Sequence, residues 1–227
     1  MANQPFGKLY IVAIPIGNWD DITIRALNTI KNAEILVCEE FRTGSTFLKK
    51  FGISNKEMIT LNEHNEKEQT GVIVQKLMQG SNVALISDCG TPVFADPGHW
   101  LINQATQFGI DIVPVPGASS LMSILSVLDF KLEKFYFAGF LSREKEERKK
   151  ELNALRQLNI PIVLMDTPYR LMKLVDEVAS TFGKNRKVTL GLNITTANEK
   201  FLRGNVSEIQ KQLSEKKAEF VLVIHPK

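Results

Sequence analysis

An α/β fold in two domains is predicted by three observations. Short apolar, β-branched runs alternate with helically spaced segments along the whole chain. Glycines recur where the helical patterns stop, as at Gly52, Gly80, Gly109 and Gly183. A Pro-Gly break divides the alternation into 1–116 and 117–227, each half the size of a small domain. With 44% hydrophobic and 23% charged residues among 227, the chain can bury a real core in each half.

In the first half, "KLYIVAI" (8–14) reads as a strand. "DDITIRALNTIKNAE" then carries Ile22, Ala26, Leu27 and Ile30 at helical spacing, with Asp20 or Asp21 as N-cap. "EILVC" (34–38) is a strand, 43–51 a helix stopped by Gly52, and "MITL" (58–61) a short strand. Residues 66–79 form a helix with Val72, Val74, Leu77 and Met78 as its apolar positions. "NVALIS" (82–87), a helix over 98–108 and "IDIVPV" (110–115) close this half.

The second half begins with a helix over 118–128 and the strand "KFYFAGF" (134–140), with Phe135 and Phe137 as sheet core around Tyr136. The charged segment 142–157 is a helix, expected to be a solvated face with the pairs Glu144–Arg148 and Glu146–Lys150, and secondarily an RNA contact. "IPIVLMD" (160–166), a helix over 169–181, strands at 187–193 and 199–203, a helix at 206–214 and "EFVLVI" (219–224) complete the chain.

Several function classes are excluded or made remote. No apolar run approaches the ~20 residues that span a bilayer, and "MANQP" has neither the charged head nor the apolar stretch of a signal peptide. Two cysteines, Cys38 and Cys89, imply no disulfide framework. The chain therefore reads as cytoplasmic, and the sequons at Asn193 and Asn205 as chance matches. A net charge of +3 suits a nucleic-acid substrate without requiring one. "IPIGN" (14–18) follows the first strand in place of GxGxxG, and neither a P-loop nor a GxSxG elbow occurs. His64, His99 and His225 are scattered and no CxxC exists, so no metal site is expected.

What remains is a set of Gly/Pro breaks: Pro15-Ile16-Gly17-Asn18, Gly90-Thr91-Pro92, Pro116-Gly117-Ala118-Ser119-Ser120 and Asp166-Thr167-Pro168. Several follow predicted strands, and open α/β sheets bind ligands beyond the carboxyl ends of their strands. Glycine lets backbone groups approach a ligand and proline stiffens the loop, so binding runs through the backbone rather than a charged clamp. That suits a cofactor with an adenosine end and an amino-acid end. Taken singly, each break is an ordinary turn.

The stretches "LYIVAIPIGNWDDITIRAL", "FGI", "NEHNE", "ALISDCGTPVFADPG", "VPVPGASS" and "FYFAGFLSR" together resemble the tetrapyrrole methylase family of S-adenosylmethionine-dependent methyltransferases. The likeness is greatest to the branch that methylates a cytidine ribose 2′-hydroxyl of small-subunit ribosomal RNA, and it runs from about Lys8 to the final strand. It implies two α/β domains with S-adenosylmethionine in the cleft between them, in a homodimer that acts on ribosomal RNA or the small ribosomal subunit. By this resemblance Gly90, Thr91, Pro92, Val93 and Phe94 correspond to the family's Gly-Asp-Pro cofactor loop, with Thr91 in the aspartate's place. Pro15, Ile16 and Gly17 lie beside it, and Ser119 and Ser120 meet the cofactor's amino-acid part. Met165, Asp166 and Thr167, with Leu192, Asn193 and Thr195, hold the adenosine side; His225 and Pro226 add a last adenine contact. Asp88 either meets the cofactor or caps the loop's N–H groups, and Asp96 caps the helix after Pro97.

Three features differ from that branch. Its Glu-Asp-Thr-Arg-His-Thr-Arg segment is Glu39-Glu40-Phe41-Arg42-Thr43-Gly44-Ser45 here, two basic side chains fewer. Its Thr-Pro-Gly-Ile is Thr91-Pro92-Val93-Phe94, and its usual C-terminal extension past the core is absent before Lys227. Methyl transfer from a sulfonium is an in-line displacement, so alignment supplies much of the catalysis. A hydroxyl acceptor also gains from a base, typically ~10²–10⁴-fold. Glu39, Glu40, Arg42, Glu63, His64 and Glu66 are the candidates, with Glu39 or His64 as proton acceptor and Arg42 on a substrate phosphate. Against these stand a solvated His64 and an Arg42 paired with Glu39 or Glu40. The leading reading is a ribosomal RNA ribose methyltransferase. The alternatives are a methyltransferase of a tetrapyrrole or other small molecule, and a cofactor-binding protein without catalysis.

Overall fold

The structure, a computed structural model, describes residues 5–227. The chain divides into two compact units, one ending at Ser119 and one running from Ser120 to Lys227.

The first unit holds five strands: β1 (Leu9–Val12), β2 (Ile35–Cys38), β3 (Glu57–Thr60), β4 (Val83–Leu85) and β5 (Ile112–Val115). They form one sheet in the order β3-β2-β4-β1-β5, with every pairing parallel. Four helices connect them: α1 (Ile24–Asn32), α2 (Phe41–Lys50), α3 (Glu66–Met78) and α4 (His99–Gln107). Because side chains alternate across a strand, each buried strand feeds both faces. Val12, Leu36, Cys38 and Ala84 pack with Ala26 and Ile30 of α1 and Phe47 of α2. Leu9, Ile35, Val37 and Val83 pack on the opposite face with Ile73 and Leu77 of α3 and Leu101 of α4. The chain thus winds outward from β1 through β2 to β3, then returns across the sheet to β4 and β5. That reversal makes the β1/β4 boundary a topological switch point, where open α/β sheets bind their ligands.

Local signals explain most boundaries, with some corrections. Thr23, not Asp20 or Asp21, caps α1, its hydroxyl accepting from the Ala26 N–H at 3.0 Å. The two aspartates instead lie in a 3₁₀ turn, Trp19–Asp21, capped by Asn18. Helix α2 begins at Phe41, earlier than the expected 43. In α3 the buried positions are Thr70, Ile73, Val74 and Leu77, whereas Val72 and Met78 are exposed.

The second unit holds β6 (Tyr136–Phe140), β7 (Ile162–Met165), β8 (Lys187–Leu192), β9 (Lys200–Asn205) and β10 (Phe220–Ile224), in the order β6-β7-β10-β8-β9. Only β6 and β7 run parallel; β10 is antiparallel to both neighbours, and β8 pairs antiparallel with β9. Helices α6 (Lys145–Leu155), α7 (Leu171–Phe182) and α8 (Val206–Gln212) all pack on one face, through Leu152, Leu174, Val178 and Ile209. The short α5 (Ser120–Ser126) meets the other face, where Ile124 lies against Gly191.

Phe135 and Tyr136 are exposed and Phe137 is only half-buried, contrary to the expected core role, because β6 is an edge strand with a bulge between Phe137 and Gly139. The segment 142–150 is likewise not wholly a solvated face. Arg148 is 1% exposed, and Lys150 pairs with Glu147 rather than Glu146.

Candidate active site

Three of the Gly/Pro breaks converge beyond the carboxyl ends of β1, β4 and β5. Past β1, Ile14 and Gly90 form an antiparallel bridge. The Ile14 N–H donates to the Gly90 carbonyl at 2.9 Å, and the Gly90 N–H returns a bond at 3.1 Å. Gly90 sits at φ 71°, a conformation that only glycine adopts without strain. Past β5, Gly117 lies so close to β1 that a Cβ would stand 3.0 Å from the Ala13 Cβ and 3.2 Å from its carbonyl oxygen. The Thr91 hydroxyl points to the Ala118 carbonyl at 3.4 Å. Pro15 and Pro92 are buried beneath this crossing, while Ile16 is half-buried and Gly17 exposed. Ser119 is half-buried at the end of the unit.

The far end of the 86–98 loop is anchored differently from expectation. Asp96 is not the cap of α4. Glu66, at the start of α3, places Oε1 2.8 Å from the Gly98 N–H and 3.0 Å from the Trp100 N–H, satisfying two otherwise free donors of that helix. Asp96 instead interacts with Ser87, and burial above all, offset in part by that hydrogen bond, raises its pKa. Within the loop, Val93 lies at φ 70°, an outlying conformation for a β-branched residue. Phe94 is exposed and Asp88 is exposed.

Acidic groups gather beside these loops. Strand β2 neighbours β4 with Val37 opposite Leu85, so Glu39 emerges next to Ser87 and Asp88. Glu39 is half-buried, and its pKa is pushed up to about 7, by burial first and then by the charges of Asp88, Asp96, Glu40 and Glu63. Burial likewise pushes the Cys38 thiol up to about 11, so it stays protonated and inert. Arg42 is exposed in the first turn of α2 and, among the described residues, pairs with neither Glu39 nor Glu40. The His64 side chain is 86% exposed, 3.5 Å from the Glu63 carboxylate. No group of His, Cys, Asp or Glu among the described residues could hold a metal ion.

In the second unit, the remaining candidates lie in the loops after β7 and β8, at the start of α5 and just past β10. Met165 and Thr167 flank Asp166, which is buried; its Oδ1 accepts from the Thr167 N–H at 2.8 Å and its Oδ2 from Arg148 Nη2 at 2.6 Å. After β8, Leu192 is buried, and Asn193 and Thr195 take φ 47° and 69°. The Glu199 carboxylate supports that turn by accepting from the Thr195 N–H at 2.7 Å. Val93, Asn193 and Thr195 are three of the four non-glycine residues at positive φ among those described; such strain concentrates at functional sites. Ser120 opens α5, half-buried. His225 is buried, its Nε2 2.9 Å from the Thr189 hydroxyl and its ring 4.7 Å from Phe130, and burial first of all lowers its pKa. Pro226 is exposed at the chain end.

The first unit's loops offer backbone polar groups and hydroxyls with no basic clamp for phosphates, and carboxylates that favour a nearby positive charge. A sulfonium cofactor with an amino-acid end fits these residues. Sequence reasoning missed Arg148 and the cap role of Glu66. The spacing of Arg148, Leu152 and Leu155, at i, i+4 and i+7, was the available sign that Arg148 faces the core.

A parallel switch-point sheet whose glycine-rich loops lock together, followed by a mixed sheet, defines the class, and comparison with known proteins agrees. Residues 8–210 match the family described as Tetrapyrrole (Corrin/Porphyrin) Methylases, and the chain belongs to that family. It is an S-adenosylmethionine-dependent methyltransferase. Among its relatives is the Ribosomal RNA small subunit methyltransferase I of Neisseria meningitidis serogroup B, 39% identical over 97% of this chain and 76% of that protein. The protein of the same name from Thermotoga maritima is 38% identical over 93% of this chain and 94% of its own length. Diphthine synthase shares the fold with a TM-score of 0.72 at 16% identity, covering 97% of this chain and 90% of that one. Cobalt precorrin-4 methyltransferase does so with a TM-score of 0.69 at 17% identity, covering 96% and 94%. No helix among the described residues is long and apolar enough to cross a membrane.

Proposed function

We propose that this enzyme methylates a ribose 2′-hydroxyl of small-subunit ribosomal RNA, with Glu39 as the proton acceptor. The observation that carries the chemistry is Glu39 itself: a half-buried carboxyl beside the interlocked loops, with a pKa of about 7. A base is most effective when its pKa lies near the working pH. His64, standing in solvent against Glu63, lacks such an environment. The RNA assignment draws on the names of the relatives, which extend over nearly the whole chain.

When bound, S-adenosylmethionine supplies an electrophilic methyl group. The protein's own work is then placement and proton transfer. Glu39 takes the proton that the acceptor hydroxyl loses, and Arg42, exposed at the start of α2, holds a backbone phosphate. Pro15, Ile16, Gly17, Gly90, Thr91 and Pro92 cradle the cofactor by their backbone, with Asp88, Val93 and Phe94 at the cradle's margin. Ser119 and Ser120 meet its amino-acid part. Met165, Asp166, Thr167, Leu192, Asn193, Thr195, His225 and Pro226 form the adenosine side, with His225 and Asp166 acting through the groups they hold. The protein works in the cytoplasm as a homodimer.

Single-turnover methylation of small ribosomal subunits by E39Q and H64A tests the base. E39Q is expected to slow the step by ~10²–10⁴-fold, with H64A within threefold of wild type. The opposite order would transfer the role to His64.

A further inference from the structure

Arg148 has no part in any role given above, yet it is among the largest fully buried side chains of the molecule. It leaves α6 toward the core of the second unit and is gripped by two carboxylates. Its Nη2 donates to Asp166 Oδ2 at 2.6 Å, and its Nε donates to Glu177 Oε2 of α7 at 2.6 Å. The Arg148 and Asp166 side chains are 1% and 5% exposed, whereas Glu177 at 24% still touches water. Arg148 Nη1 is buried and has no hydrogen-bond partner among the described residues. A charge network this deep costs desolvation, and a hydrophobic trio of similar volume would serve stability as well or better. Its presence calls for another reason.

The other oxygen of Asp166 supplies that reason. Oδ1 accepts the N–H of Thr167, the first residue past Asp166 in the loop that follows β7. The carboxylate is therefore held from one side by a single N–H of a guanidinium that Glu177 anchors at Nε, and it holds the loop backbone from the other. A planar guanidinium bonded at two of its nitrogens presents its N–H to Asp166 in a fixed direction, which a freely rotating ammonium does not.

We infer that Arg148 is a positioning residue: through Asp166 it fixes the Met165–Thr167 backbone in the conformation that receives the cofactor. This rests on the reading of that loop as a cofactor contact. Glu177 orients the guanidinium from the distal side and lies outside the relay to the loop.

The test is calorimetric titration with S-adenosylhomocysteine, together with amide hydrogen exchange at Thr167 in the ligand-free protein. E177Q keeps an acceptor for Nε and is expected to bind within twofold of wild type. R148K and D166N are expected to bind at least tenfold more weakly and to speed Thr167 exchange, while amides in the middle of α7 keep their protection. Should the single variants misfold, R148M/D166L removes both charges together and keeps the core filled. It is expected to melt near wild type, yet to bind at least tenfold more weakly. A stable R148M/D166L that binds within twofold of wild type would overturn the clamp alone. Wild-type binding with unaltered exchange at Met165–Thr167 on ligand addition would overturn the loop assignment beneath it.

Discussion

At the residue scale, the role proposed for Glu39 carries a stability cost. Its pKa in the folded chain, about 7, lies above the 4.5 of a free glutamate, because burial and four neighbouring carboxylates disfavour its charge. The folded state therefore binds the proton more tightly than the unfolded state. Stability falls as pH rises from about 4.5 to about 7 and stays reduced above that. E39Q should accordingly melt higher than wild type at pH 8, with the gap closing below pH ~4.5. The methylation rate of wild type should climb through pH ~7 and then level off, since only the ionised carboxylate accepts a proton. A flat profile from pH 6 to 8, with unaltered melting of E39Q, would remove Glu39 from the chemistry. Val93 gives a second check. At φ 70° any side chain with a Cβ is strained by ~1–2 kcal/mol. V93A keeps that strain and loses packing, whereas V93G loses the packing and relieves the strain. V93G should melt no lower than V93A, reversing the usual penalty for glycine; thermal unfolding of the pair decides it.

At the scale of elements, order and type were legible because each strand and helix carries its own periodicity and stop signal. Gly52, Gly80, Gly109 and Gly183 fall at the ends of α2, α3, α4 and α7, as expected from their positions in the pattern. The side-chain ties between elements were not legible. Glu66 read as a member of a polar cluster, but it caps α4, 32 residues away from Gly98 in sequence. Arg148 read as part of a charged, solvated helix, because composition over 142–150 masks the one position that turns inward. Its partner Asp166 is 18 residues distant, beyond any local rule. Both ties have measurable consequences. E66A should cost ~0.5–2 kcal/mol and hasten exchange at the Gly98 and Trp100 amides. R148M alone strands the buried Asp166 and should cost ~3–5 kcal/mol, most of it recovered in R148M/D166L, as denaturant unfolding would show.

For the whole molecule, the sequence pointed to the family through motifs spread from Lys8 to the last strand, and the fold bears this out in two sheets of different character. The parallel sheet of the first unit follows from strand–helix alternation. The antiparallel pairings of β10 and β9 were hidden, because a buried strand reads the same in either direction. The convergence of residues 14–17, 90–92 and 117–118 was likewise suggested by strand ends but became definite only through the Ile14–Gly90 bridge and the Gly117–Ala13 contact. Substrate choice is the property of the whole chain least written in local pattern, since a net charge of +3 and the exposed Arg42, three residues past Glu39, admit RNA without selecting it. The most direct test incubates the protein and tritiated S-adenosylmethionine with small ribosomal subunits from a strain lacking ribose methylation at the site, then digests the RNA to nucleosides. Label in a 2′-O-methylnucleoside, lost in E39Q, is the expected result. Unlabelled RNA from a protein that calorimetry shows to bind the cofactor would contradict the RNA assignment and turn the search for the acceptor to small molecules.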